Sequence, residues 1–242
     1  MTYDEFLEEL RTYAEDDFAR FQRRLISTQA EILGVRTPTL RALAKKYFPL
    51  AEEFISYPDE YYEVTFIKLA MISLMEYDEF KNYVGRAVCG IDNWATCDSF
   101  KPKCLRTRQE DFLPILENIF SRGGEFDERF ALVILLGFYV EEKYLPVIRV
   151  YIKKADTKRY YVRMAVAWLV AELLVKFPDF GRKILLSGTL DVATHNKAIQ
   201  KARESYRIDE KQKEFLSSLK KQRKKQIKDD KYGYFTNDYR RV

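Results

Sequence analysis

The sequence predicts an all-α fold built from antiparallel helix pairs, and three observations lead there. Apolar residues recur at helical spacing in many segments of roughly ten to eighteen residues. The connections between those segments are short and carry Pro or Gly. Strand signals are nearly absent, with no Asn-Gly hairpin and no alternating apolar run.

Taken in order, Phe6, Leu7, Leu10 and Tyr13 place a first helix over Tyr3 to Glu15, and a second covers Phe18 to Leu25. Gly34 breaks the chain, Thr37 supplies a cap and Pro38 takes the first helical position, so a helix runs on through Leu40, Leu43, Ala44 and Tyr47. Pro49 and Pro58 punctuate a helix near Leu50 to Ser56, a longer one spans Glu60 to Met75, and Asp78 caps another ending near Gly90. Beyond Ile91 to Phe100, the Lys101-Pro102-Lys103 break precedes helices over Gln109 to Phe120 and, past the Gly123-Gly124 turn, Phe126 to Tyr139. Tyr144 to Lys153, Arg159 to Phe177 and Pro178 to Leu186 follow, the last closed by Gly188. Asp191 caps a basic helix reaching Tyr206, and Glu210 to Lys228 completes a single helical domain over 1–228, with a polar, aromatic tail at 229–242. Paired helices at this spacing fit a degenerate solenoid of the HEAT kind, whose curvature makes a concave binding surface; a globular bundle is the alternative.

Composition bounds the function. Apolar residues at 47% and charged residues at 33% of 242 exclude a disordered or fibrous class. The net charge of +5 is modest, but it is unevenly spread. Residues 1–19 carry seven acids against Arg11 alone, whereas Lys197 to Lys228 holds twelve Lys or Arg against four acids. That basic stretch is an electrostatic handle for a polyanion, or else a solvated helix face. Cys89, Cys97 and Cys104 lack metal-ligand spacing and His195 is the only histidine, which argues against a metal; no apolar run suits a membrane span. The expectation is a reduced, cytoplasmic, monomeric protein without cofactor, reaching the nucleoid only through DNA. Phosphate-loop, GxGxxG, GxSxG and HExxH motifs are all missing, and His195 reads as a surface or capping residue.

What remains is a small set of side chains. Trp94 and Asp98 stand four residues apart, so on a helix they share a face, where an indole and a carboxylate suit a flat cation. The plainer reading is a core tryptophan beside a capping aspartate. Arg129 shares its face with Leu132, Val133 and Leu136, and a guanidinium there either pairs with an acid such as Asp98, or a phosphate, or snorkels to solvent. Trp168 lies among Val162, Met164, Ala165, Val166, Leu169 and Leu173, where a core role is the default.

Five short stretches resemble, in order, the AlkD family of DNA alkylation repair proteins. They are Gly34-Val35-Arg36-Thr37-Pro38-Thr39-Leu40-Arg41, Asn93-Trp94 with Asp98-Ser99, Glu128-Arg129-Phe130-Ala131, Ala165-Val166-Ala167-Trp168 and Asn196-Lys197-Ala198-Ile199. The resemblance implies a HEAT-like solenoid whose concave basic face grips double-stranded DNA containing alkylated bases. It further implies a monofunctional glycosylase that releases cationic bases such as 3-methyladenine and 7-methylguanine without flipping them out. On that resemblance Asp98 is the catalytic carboxylate, Trp94 and Trp168 flank the lesion's sugar and phosphate, Arg129 completes the catalytic set, and Arg36, Thr37, Arg41, Lys197 and Lys201 contact DNA. The chain departs from the pattern at Arg36, where active relatives have glutamine, and at Gly137 and Ala171, where they carry basic residues. Two further functions stay open: a noncatalytic scaffold for damaged or branched DNA, and a protein-interaction solenoid.

Overall fold

The computed structural model of the chain describes residues 1–221. It is all-α and solenoid-like, with fourteen α-helices, three 3-10 turns and no strand among the described residues. In chain order the helices are α1 (Tyr3–Arg11), α2 (Asp16–Leu25), α3 (Thr37–Lys46), α4 (Ala51–Ile55), α5 (Tyr62–Ile72), α6 (Tyr77–Cys89) and α7 (Trp94–Ser99). The second half continues with α8 (Gln109–Ser121), α9 (Glu125–Phe138), α10 (Leu145–Lys154), α11 (Tyr160–Lys176), α12 (Pro178–Leu186), α13 (Val192–Arg203) and α14 (Glu210–Ser218).

Odd-numbered helices from α3 to α13 stack on one another in sequence as a continuous row. Even-numbered helices from α4 to α14 each pack beside an odd neighbour and cover the back of that row. Position in the row explains composition: α5 is buried at all but one of its eleven residues, and α11 is buried along most of its seventeen, wedged between α9, α12 and α13. Such helices lose the one-sided apolar stripe of a surface helix. Behind α7, the rings of Phe112, Phe80, Phe100 and Phe130 form a chain with centroid separations of 5.5, 6.3 and 5.4 Å. These rings lock α6, α7, α8 and α9 together, so the short α7 owes its position to packing rather than to its own length.

Local chemistry sets the start of α3. Gly34 has φ of +86°, and a Cβ there would lie 2.6 Å from the Ala19 nitrogen of α2, so only glycine fits this turn. The buried Glu63 carboxylate accepts the backbone N–H groups of Leu33, Gly34 and Val35 at 3.1, 2.8 and 3.2 Å. Burial pushes its pKa up while those three donors pull it down.

Several boundaries differ from expectation. Helix α1 stops at Arg11 rather than Glu15, because the Thr12 N–H already closes on Glu9 and Leu10. Arg36, not Thr37, takes the N-cap position of α3; Thr37 is the first helical residue and Pro38 the second. Glu76 precedes α6 at its cap, and Asp78 sits inside the first turn, where its charge suits the helix dipole. Helix α14 ends at Ser218 with Leu219 as its cap, short of Lys228; residues 222–242, including the 229–242 tail, lie outside the described residues. His195 is neither surface nor cap, since it is buried within α13 while Asp191 caps the helix through the Ala193 and Thr194 N–H groups.

Candidate active site

Every residue singled out from the sequence sits on or beside the odd row: Thr37 and Arg41 on α3, Trp94 and Asp98 on α7, Arg129 on α9, Trp168 on α11, Lys197 and Lys201 on α13. Asn93 caps α7 by accepting the Thr96 N–H at 3.0 Å. Its amide also donates to Asp92 Oδ1, while Asp92 Oδ2 accepts from Thr28 Oγ1 and the Gln29 N–H, tying α7 to the chain after α2. With Asn93 in that role, Asp98 is not needed as a cap and stands a turn further on, facing α9.

There it meets Arg129. The guanidinium donates from Nε to Asp98 Oδ1 at 3.0 Å and from Nη2 to Oδ2 at 2.7 Å, a bidentate pair. Nη1 donates to the Tyr161 carbonyl at 2.8 Å. The Arg129 side chain is 7% exposed and that of Asp98 19%, so the arginine is enclosed while the carboxylate keeps an open edge. A carboxylate has about four lone-pair sites. Two are used by Arg129, and the partly exposed carboxylate lines the cavity. Burying a guanidinium is costly unless its donors are matched, and here all three directions are.

Trp94 and Asp98 share a face of α7, as spacing requires. The indole N–H donates to the Leu25 carbonyl at 3.0 Å, fixing the ring across the end of α2. Trp168 is half-buried rather than a core residue, and Lys201 Nζ stands 6.0 Å from its ring centroid. Burial and the neighbouring Lys197 charge push the Lys201 pKa below its ordinary value, against the pull of Glu204 and Asp98. Trp94, Asp98, Arg129, Trp168 and Lys201 all line one cavity of about 430 Å³.

Tyr160, Tyr161, Met164 and Leu25 complete that lining, and none was singled out from the sequence. Tyr160, Met164 and Trp168 recur every fourth residue, so one face of α11 was readable. No local signal marks Leu25 or Tyr161, whose roles arise from packing. The first turn of α9 holds this end of α11: Glu125 accepts the Tyr161 N–H and Glu128 the Asp156 N–H, both at 2.7 Å. One turn of helix thus carries both the partner of Asp98 and the acids that seat the tyrosines.

The remaining expected DNA contacts lie apart from this cavity or at its side. Arg36 is exposed and paired with Glu15, Nε–Oε1 at 3.0 Å and Nη2–Oε2 at 2.8 Å, with its guanidinium 4.2 Å from the Phe18 ring centroid. Arg41 is exposed on α3, and Lys197 lines an adjoining recess.

What the arrangement offers is a fixed, partly exposed carboxylate and two indoles lining the same cavity, beside a lysine whose charge is partly desolvated. Comparison with curated proteins finds none that matches. The family model for DNA alkylation repair enzymes matches residues 6–183, and the chain belongs to that family.

Proposed function

We propose that the chain is a DNA glycosylase that hydrolyses the N-glycosidic bond of cationic alkylated purines in duplex DNA. The observation that carries this reading is the meeting of Trp94, Asp98, Arg129 and Trp168, from three different helices, around one cavity. A purine alkylated at N3 or N7 already bears a positive charge. When the bond to C1′ breaks, its electron pair leaves with the base, which departs neutral, and the deoxyribose is left with oxocarbenium character. Nothing need protonate the leaving group. The demand on the protein is to stabilise a flat cation, and a carboxylate held in place before the reaction does so without reorganising. Aromatic faces add cation–π attraction.

In this reading Arg129 is the positioning residue, since it holds Asp98 by both oxygens. A water adds to C1′ and passes its proton to the free edge of Asp98, leaving an abasic site. DNA lies along the odd row, with its phosphates met by Lys197, Lys201, Arg41, Thr37 and Arg36.

Single-turnover release of 7-methylguanine from duplex DNA tests the reading. Asp98→Asn should slow release by about 10²–10³-fold, the usual cost of removing one preorganised electrostatic contact. Equal release by both proteins would remove Asp98 from the chemistry. No release by either, with salt-dependent duplex binding retained, would leave a noncatalytic DNA-binding scaffold.

A further inference from the structure

The two flanks of the cavity differ in charge. On one side, with Tyr160 and Met164 as a shared wall, lies an open recess of about 510 Å³ lined by Arg163, Asn196, Lys197, Gln200 and Lys220. Three cations line it and no carboxylate does. Lys197 donates to Gln200 Oε1 at 3.0 Å, and among the described residues none of the three cations pairs with an acid. On the other side, Trp168 and Lys201 adjoin a recess containing Glu172, Glu204 and Arg207. There the one arginine is already neutralised, with Arg207 Nη1 donating to Glu172 Oε1 at 3.0 Å.

Lys220 reaches the first flank because the chain after α14 is tied to α13. The His195 ring meets the Leu219 carbonyl through Nε2 at 2.9 Å. The Asn196 side chain pairs with both backbone groups of Lys221: Nδ2 donates to its carbonyl at 2.8 Å, and Oδ1 accepts its N–H at 3.0 Å. Two adjacent residues of one helix thereby hold Leu219 and Lys221, on either side of Lys220, in a segment that has left helical structure. Lys220, between the two anchors, stands at the rim with its side chain exposed.

We propose that this flank is a phosphodiester subsite: the backbone of one DNA strand leaves the lesion cavity over Arg163, Lys197 and Lys220, and the segment pinned by His195 and Asn196 forms its outer wall. Converging cations repel one another until an anion enters, and a phosphate that displaces their counterions gains entropy from the release. The carboxylates of the opposite flank make it the poorer route. Lys220 lies beyond residues 6–183, the span that the family model matches. The proposal rests on the reading of the cavity as a DNA-lesion site, but it concerns duplex binding and not base release.

The test is the salt dependence of binding of the full chain to a short fluorescent duplex, undamaged and carrying 7-methylguanine. Arg163→Gln and Lys220→Gln should each lower the slope of log K against log salt by about 0.9, the amount expected for one lost phosphate contact. Asn196→Ala should act as Lys220→Gln does, and the two combined should lose no more than either alone. The charge-neutral swap Glu172→Gln/Arg207→Gln should leave the slope unchanged. Wild-type slopes in both Arg163→Gln and Lys220→Gln, with thermal melts like those of the parent, overturn the subsite. A slope lowered equally by the Glu172/Arg207 swap overturns the asymmetry on which it rests. Base release is scored separately on the same damaged duplex: its absence from the wild type counts against the glycosylase reading and leaves the slopes to decide this one.

Discussion

Asp98 and Arg129 form the least exposed ion pair of the cavity, and their value lies in what each does without the other. Replacing Arg129 by Met keeps the volume of the side chain but leaves Asp98 partly buried and unpaired. The expected cost is about 2–3 kcal/mol of stability, somewhat below that of a fully buried pair because Asp98 keeps an open edge. Adding Asp98→Asn to that variant should restore part of the loss, since the orphaned charge is gone; chemical denaturation of the single and double variants measures both. His195 gives a second prediction with a defined sign. Nε2–H donates to the Leu219 carbonyl, Nδ1 has no partner among the described residues, and burial lowers the pKa below the ordinary 6.5. Between that lowered value and 6.5 the unfolded chain takes up a proton that the folded chain refuses. The stability held by the neutral ring is therefore complete above 6.5 and lost as pH falls through that window. The melting temperature of the wild type should drop more steeply between about pH 7 and 5 than that of His195→Gln, and parallel profiles would sink the assignment.

At the level of the element, the turn before α3 is the point where one substitution moves a whole helix. Gly34→Ala forces an L-residue into the left-handed region and drives a methyl group against the backbone of α2. The conformational strain alone is worth about 1–3 kcal/mol, and the clash adds to it. A fall in melting temperature should accompany weaker duplex binding, because Arg36, Thr37 and Arg41 move with α3; unchanged binding would separate α3 from the DNA. Much of this was legible in the chain: Gly34 as a break, Pro38 near a helix start, and the sharing of one face by Trp94 and Asp98 all follow from local geometry. Other boundaries were not. Thr37 and Asp78 are good capping types one or two residues past the true caps, and the choice between neighbouring residues was made by tertiary contacts such as those of Glu63 with residues 33–35.

Across the whole molecule, the row of odd helices does not end where the family match ends. Helix α11 packs against α13 as closely as against any helix, and Ala198, Ile199 and Ala202 of α13 are fully buried. In a stacked array each unit is stabilised by its neighbours, and an end unit that loses its cover exposes an apolar face. A chain cut after Ser187 should therefore melt at least several degrees lower and bind a hydrophobic dye, even though it retains the whole of residues 6–183. A truncated protein with a native melt and no dye binding would show that α13 and α14 are dispensable to the fold.

The all-α class, the order of the helices and the pairing of side chains on single faces were all present in the sequence, because helical periodicity is a property of neighbours within a few residues. Resemblance to a family added the roles expected of Asp98, Trp94, Trp168 and Arg129. What spacing could not supply were the meetings between helices. Asp98 is paired with Arg129 across 31 residues, Trp94 is anchored to Leu25 across 69, and Lys220 is brought beside Arg163 by two residues of α13. Several apolar and charged faces of comparable character were available to each of these side chains. Which of them met was decided by how the buried helices stack, through contacts distributed along the whole row.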